Sequence, residues 1–286
     1  METELWKQTC KLVTKVADGK TIKRATYTDS NIILTYMWAV IHDRPVYWAC
    51  KKRNWPIYYR RHPLPDPSTM TRRLRRPELQ MLLHEIEKSL INRLPRSVCR
   101  WIDGKPLAIG GASKDSESAF GFGASCLCKG YKLYAVGDLN QGFVEWTVRS
   151  MNHGEPAVAI ELVTQLDHGG YLVGDTAYDS NKLYEAASKR AIQLVAARKP
   201  GKTLGHRRHS PSRIRSRELL DRPFGQSLIV ARRSIERMFG NLVCFPCGLK
   251  PLPHWVRTLQ RVRLWVRGKM ILYHLWRMRN EQVKFA

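Results

Sequence analysis

From the start of the chain to about residue 95, apolar positions recur at intervals of three and four. Ile32, Ile33, Tyr36, Met37, Val40 and Ile41 form one such stripe, and Asp29-Ser30 just before it reads as its cap. Pro45 opens a second, short helix through Cys50 and Arg53. The run Pro63-Leu64-Pro65-Asp66-Pro67 is a rigid break, after which Ser68 caps a short predicted helix over 69–76. Pro77 starts a longer one, with Leu79, Leu82, Leu83, Ile86, Leu90 and Leu94 on one side.

Near Arg96 the period changes to two. Ser97 to Asp103, Lys132 to Val136 and Val144 to Ser150 read as strands, the last two joined by a turn over 138–142. Pro156 to Leu166 reads as a helix, Gly169-Gly170 ends it, and Tyr171 to Gly174 is a short buried strand. Asn181 to Arg190 reads as helical and Ile192 to Ala196 as a fifth strand. Lys199 to Pro223, rich in Arg, His, Gly and Ser, reads as a mobile basic loop. Gln226 to Leu242 and Trp255 to Arg279 close the chain as two helices. Three strands, then helix, strand, helix, strand predict a layered α/β sheet over 96–286, preceded by an all-helical region over 1–95.

Charge narrows the partners. The 286 residues carry 49 Lys+Arg against 24 Asp+Glu, a formal charge of +25. From Arg198 to Ala286 the count is 21 Lys+Arg against 4 Asp+Glu, so the excess is uneven. Such a surface attracts polyanions through counterion release. At 43% hydrophobic content the chain is not mainly disordered. The first twenty residues lack the apolar core of a signal peptide, and no apolar run is long enough to cross a membrane. The 7 Cys, an odd number, suit reduced cytosolic thiols. Cys126-x-Cys128 and Cys244-x-x-Cys247 have no accompanying His pair and read as buried or incidental thiols rather than a zinc site. The expected location is the cytoplasm, in association with DNA.

Against this basic background three carboxylates stand out. Asp103 ends the first predicted strand and Asp175 follows the fourth. Glu236 lies on a later amphipathic helix. Neighbouring strand ends in an α/β sheet share a crevice, so the two aspartates can converge and the helix can cross them. Clustered carboxylates repel one another unless cations neutralise them, and Mg²⁺ suits such oxygen ligands. Taken singly, each acid has an ordinary reading as a cap or a surface charge, and Glu236 is spaced to pair with Arg232 or Arg233.

The segments around these acids resemble bacterial insertion-sequence transposases of the DDE type, in the group with a Tyr-Arg-Glu-Lys signature and a short insertion. The resemblance runs through Asp103-Gly104-Lys105-Pro106-Leu107 with Lys129-Gly130-Tyr131-Lys132-Leu133, Gly174-Asp175-Thr176-Ala177-Tyr178-Asp179, and Ile235-Glu236-Arg237-Met238-Phe239-Gly240-Asn241-Leu242. It implies a ribonuclease H-like, five-stranded mixed sheet, and Mg²⁺ or Mn²⁺, two ions, held by Asp103, Asp175 and Glu236. It also implies cleavage of transposon ends and joining of 3′ ends to target DNA, by a homodimer on double-stranded DNA. Arg232 matches the signature arginine. Ile229 stands where the signature has tyrosine and Val243 where it has lysine; Lys250 and Arg237 are the nearby cations open to replace it. The spacing between Asp175 and Glu236 leaves no room for a large β-rich insertion.

The basic helix over 68–76, with Arg72, Arg73, Arg75 and Arg76, resembles the recognition helix of a helix-turn-helix unit and is expected to read the element's ends. Arg207, Arg208, Arg213 and Arg215 in the basic stretch, with Arg232 and Arg233, are expected to grip phosphates near the acids. His206-Arg207-Arg208-His209 lacks metal-ligand spacing. Trp38, Trp48 and Trp55 read as core, and Trp255, Trp265 and Trp276 as packing of the last helix. Two other readings stay open: a relative that binds DNA without cutting it, and a ribonuclease H-like nuclease, which would not need the region over 1–95.

Overall fold

The computed structural model describes residues 2–17, 26–59, 63–123, 126–140, 142–197 and 209–284. They form two units. The helical unit is Met1–Leu94 with Leu242–Lys250 and Leu264–Ala286; the sheet unit is Pro95–Asn241 with Pro251–Arg263.

The helical unit begins with α1 (Glu2–Ala17), α2 (Asp29–Ile41), α3 (Val46–Ala49), α4 (Pro67–Leu74) and α5 (Pro77–Ile91). Every residue of α2 from Ile32 to Ile41 is buried, so the stripe read in the sequence understates a helix enclosed on all sides. Its cap is Thr28, whose side chain accepts from the Asn31 N–H at 3.2 Å. Asp29 falls in the first turn instead, where its carboxylate meets Arg73. Likewise α4 is capped by Asp66 rather than Ser68: Oδ1 accepts from the Thr69 N–H at 2.8 Å and from the Ser68 hydroxyl at 2.6 Å. Pro67 explains the shift, because its fixed φ suits the first helical position and starts the turn earlier.

The sheet unit contains β1 (Cys99–Ala108), β2 (Ala119–Phe122), β3 (Leu127–Asp138), β4 (Phe143–Ser150), α6 (Glu155–Val163), β5 (Tyr171–Gly174), α7 (Asn181–Ser188), β6 (Gln193–Ala196), α8 (Pro211–Leu220) and α9 (Pro223–Ala231). Then come α10 (Arg233–Cys244) and α11 (Leu259–Lys284), each of which continues into the helical unit. The strand order is β2-β3-β1-β5-β6, with β4 also on β3. β1 is antiparallel to β3 and parallel to β5, and β5 is parallel to β6. Three antiparallel strands followed by two parallel ones make a ribonuclease H-like sheet, as expected.

There are six strands rather than five. The extra one, β2, is a four-residue edge strand whose inward positions are Ala119 and Gly121 and whose outward ones are Phe120 and Phe122, so no large apolar residue marks its covered face. Two further expectations change. Residues 211–220 of the supposed basic loop form α8. Ser210 caps it, and its buried stripe is Ser212 and Ser216, small polar residues whose composition mimics a loop. Gln193 donates to the Ser212 carbonyl at 3.0 Å, and Tyr184 to Ser216 Oγ at 3.2 Å. The single helix expected over 226–242 is two, parted at Arg232.

Candidate active site

The register of β1 places the two aspartates. Its parallel pairing with β5 runs Cys99↔Tyr171, Arg100↔Leu172 and Trp101↔Val173 and then stops, one residue before β5 itself ends. Asp103 and Asp175 each lie two residues beyond the Trp101–Val173 pair, and so on the same face of the sheet. Asp103 is therefore not at a strand end, as the sequence suggested. β1 continues to Ala108 because β3 keeps pairing with it on the other side, through Ala108↔Gly130. The crevice opens because β5 stops, not because β1 does.

Backbone donors hold both carboxylates. Asp175 Oδ1 accepts from the Ala177 N–H at 2.8 Å, capping a 3-10 turn over Thr176–Tyr178. Asp103 Oδ1 accepts from the Gly104 N–H at 2.8 Å. Burial pushes Asp103 up to about 6; the Gly104 bond and the Arg232 charge pull it down, while Asp175 and Glu155 raise it further.

The same face carries α10. A Cβ on Gly137, the register partner of Trp101, would meet Met238 Cε at 2.5 Å and Ile235 Cδ1 at 3.4 Å, so the helix lies directly on that strand. Ile235 and Met238 are buried and Glu236 between them is exposed. Arg232 Nη2 donates to Glu236 Oε1 at 3.2 Å, one helical turn away. Arg232 thus acts electrostatically on Asp103 while paired to Glu236. Among the described residues, no three His, Cys, Asp or Glu side chains are gathered as a cation cage. Two of the three acids converge, and the third is one guanidinium away.

A neighbouring pair is absent from the sequence reading. Glu155, in the first turn of α6, forms an ion pair with Lys132 of β3. Lys132 lies over Gly104, where a Cβ would meet its Cε at 2.6 Å. Its Nζ is 5.7 Å from the Tyr134 ring centroid. No sequence signal singles out Glu155, because a carboxylate in a first helical turn is ordinary.

The expected DNA contacts divide. Arg213 is committed within the fold, donating to both oxygens of Asp179 at 2.8 and 2.7 Å. Arg73 is buried and donates to Asp29 Oδ1 at 2.6 Å and to the Tyr27 carbonyl at 3.2 Å. Both were expected to face DNA; each has a carboxylate partner that the sequence could not reveal. Arg72, Arg75 and Arg76 on or beside α4, Arg215 on α8 and Arg233 on α10 are exposed. Arg207 and Arg208 lie outside the described residues. Of the two cations considered for the missing signature lysine, Lys250 faces Asp43 at 3.6 Å and Arg237 donates to Ser234 Oγ at 3.1 Å. Cys126, Cys128, Cys244 and Cys247 are free thiols.

The family described as the transposase DDE domain matches residues 95–273. No curated protein matches the chain. Among solved structures, the cryo-EM structure of the piggyBac transposase synaptic complex with hairpin DNA is similar over 98% of this chain and 73% of that one, at 10% identity and a TM-score of 0.49. The family match spans more than half of the 286 residues, includes all of the sheet and holds Asp103, Asp175 and Glu236; the chain belongs to the transposases with a DDE domain.

Proposed function

We propose that the chain is a bacterial insertion-sequence transposase of the Tyr-Arg-Glu-Lys group, with Asp103, Asp175 and Glu236 holding two Mg²⁺ or Mn²⁺ ions. The observation that carries this reading is the register. Asp103 and Asp175 share a face at matching register where the β1–β5 pairing ends, and Arg232, whose charge acts on Asp103, holds a third acid on the helix packed on that face. The donor set fits a hard divalent cation: it is all carboxylate oxygen, and its innermost member is held well above the usual carboxylate range by burial and its neighbours. Such ions, when bound, activate a water or 3′-hydroxyl and stabilise the leaving oxygen.

The chain's own residues do the rest. The Gly104 and Ala177 N–H groups orient the aspartates. Arg232 supplies positive charge to Asp103 and holds Glu236, the acid that with Asp103 and Asp175 would hold the cation. Lys132, neutralised by Glu155, backs Gly104 without adding a free cation to the site. Exposed Arg215 and Arg233 supply phosphate contacts, and the helical unit reads the element's ends through Arg72, Arg75 and Arg76 of the α4 region, as a homodimer at the nucleoid.

A second reading, a relative that binds DNA without cutting, is favoured by Ile229 and Val243 and by the closed Arg232–Glu236 pair. One experiment separates the two. Purified protein is incubated with a supercoiled plasmid carrying the DNA that flanks its reading frame, in Mg²⁺, Mn²⁺ or EDTA. Metal-dependent breaks at the element ends, with joined products, are expected. Binding to that DNA without breaks in either metal leaves the second reading.

A further inference from the structure

The helical unit presents a second surface with the chemistry of nucleic acid. After α3 the chain makes two 3-10 turns, Lys52–Asn54 and Ile57–Tyr59. Their base is clamped. Trp55 is buried and donates from Nε1 to the Ala49 carbonyl at 2.6 Å. Its ring stacks on Trp38 at 4.6 Å, and Trp38 donates to the Asn54 carbonyl at 3.0 Å. Asn54 in turn donates to the Trp48 carbonyl at 2.7 Å. A rigid base therefore carries a tip whose Ile57 and Tyr58 are 82% and 83% exposed.

Single exposed apolar side chains are normal on a protein surface. Two adjacent ones, on a turn fixed by a tryptophan stack, are placed there at a cost in solvation. Their surroundings define what covers them. Arg44, Lys51, Lys52 and Arg53 are all exposed, and no acidic residue occurs between Asp43 and Asp66. Tyr47, also exposed, lies under Lys51 Nζ at 5.4 Å. The occupant must offer negative charge and flat apolar faces together. Duplex DNA offers the charge but keeps its base faces stacked; a strand with unpaired bases offers both.

We infer that the 51–59 turn is a binding site for unpaired DNA, with Tyr58 stacking on a base, Ile57 packing beside it, and Lys51, Lys52 and Arg53 contacting the flanking phosphates. The inference rests on the transposase reading for its source of DNA ends and displaced strands. It concerns residues other than Asp103, Asp175 and Glu236.

The test is anisotropy titration of the full chain with labelled dT20 and with a 20-base-pair duplex of mixed sequence, with no metal added. Tyr58→Ala should bind dT20 about tenfold more weakly than the parent and leave the duplex within twofold. Tyr58→Phe, which keeps the ring, should bind as the parent does. Lys52→Ala with Arg53→Ala should weaken both DNAs and lower the salt dependence of each. Equal dT20 affinity in Tyr58→Ala and parent overturns the site, as does a parallel loss on the duplex. Self-association of the DNA-free parent that Tyr58→Ala abolishes, seen by sedimentation, also overturns it and makes the surface a contact between copies. If the parent binds neither DNA, the transposase reading itself fails, an outcome distinct from a parent that binds both and a variant that changes nothing.

Discussion

The helical unit and the Asp103 crevice of the sheet unit handle buried charge in opposite ways. In the helical unit three buried or half-buried cations meet carboxylates. Lys269, fully buried, donates to Asp43 Oδ1 at 2.5 Å and to the Val40 carbonyl at 2.9 Å. Arg73 has Asp29 at 2.6 Å, and Arg267 has Glu87 at 3.2 Å. In the sheet unit Asp103 shares its face with Asp175, and burial first, then that like charge, push it up to about 6. The first arrangement is complete within the chain and holds a fold together. The second is incomplete, and an incomplete set of like charges in a crevice is the mark of a site that takes a cation.

If that contrast is right, the largest effects belong to the incomplete set. Asp103→Asn, Asp175→Asn and Glu236→Gln should each lower strand cleavage by roughly 10³ or more, about 4 kcal/mol of barrier, and leave duplex binding nearly intact. A variant that cleaves at the parental rate in Mg²⁺ removes its residue from the site.

The complete set should respond through stability. Asp43→Ala leaves the Lys269 ammonium buried without its carboxylate and should cost about 3 kcal/mol in urea unfolding. Lys269→Met, which removes the charge and keeps the volume, should cost much less. Equal losses would mean that the pair itself, not the stranded charge, carries the stability.

Acidity should separate the units by sign. His274 in the helical unit is fully buried and is pushed down to about 4, by burial first and then by Arg277. Its folded value lies below its unfolded value. Its contribution is therefore complete above about 6.5 and is lost as pH falls toward 4, by about 3 kcal/mol. Asp103 runs the other way. Its folded value is raised, so its contribution is present below about 4 and is lost as pH rises through 6, by about 2 kcal/mol after allowing for partial exposure. Without metal, Asp103→Asn should be more stable than the parent at pH 8 and equal to it near pH 4. His274→Leu should flatten the acid limb. Thermal unfolding across pH checks both, and an Asp103→Asn curve parallel to the parent's would deny that burial and its neighbours raise the Asp103 carboxyl.

The smallest effect distinguishes two arginines of one helix. Arg215→Ala should lower the slope of log affinity against log salt by about 0.9 on any duplex. Arg213→Ala should leave that slope alone and weaken the fold by its lost bond to Asp179. A slope change for Arg213 instead would show that its guanidinium leaves Asp179 for phosphate.

Much of this was legible before any coordinates. The strands over 171–174 and 193–196, the period change near residue 96 and the apolar stripe of α5 follow from local pattern, because burial on one face imposes a period. The edge strand β2 is not legible, since its half-buried face carries only Ala119 and Gly121 while its two phenylalanines are exposed. Nor is α8, whose buried stripe is serine. Its burial depends on hydrogen bonds from Tyr184 and Gln193, which lie far away in the chain.

The sequence by itself determined the residue types and their spacing: two aspartates beside apolar runs, a glutamate one turn after an arginine, and cations in excess. Those are properties of neighbours along the chain. Only the tertiary structure decided which charges are already spent. Arg73 and Arg213 find Asp29 and Asp179 across 44 and 34 residues. Asp103 shares its face with Asp175 because the β1–β5 pairing stops two residues short of both. Coulomb energy depends on separation in space and on the local dielectric, and neither is a function of position along the chain.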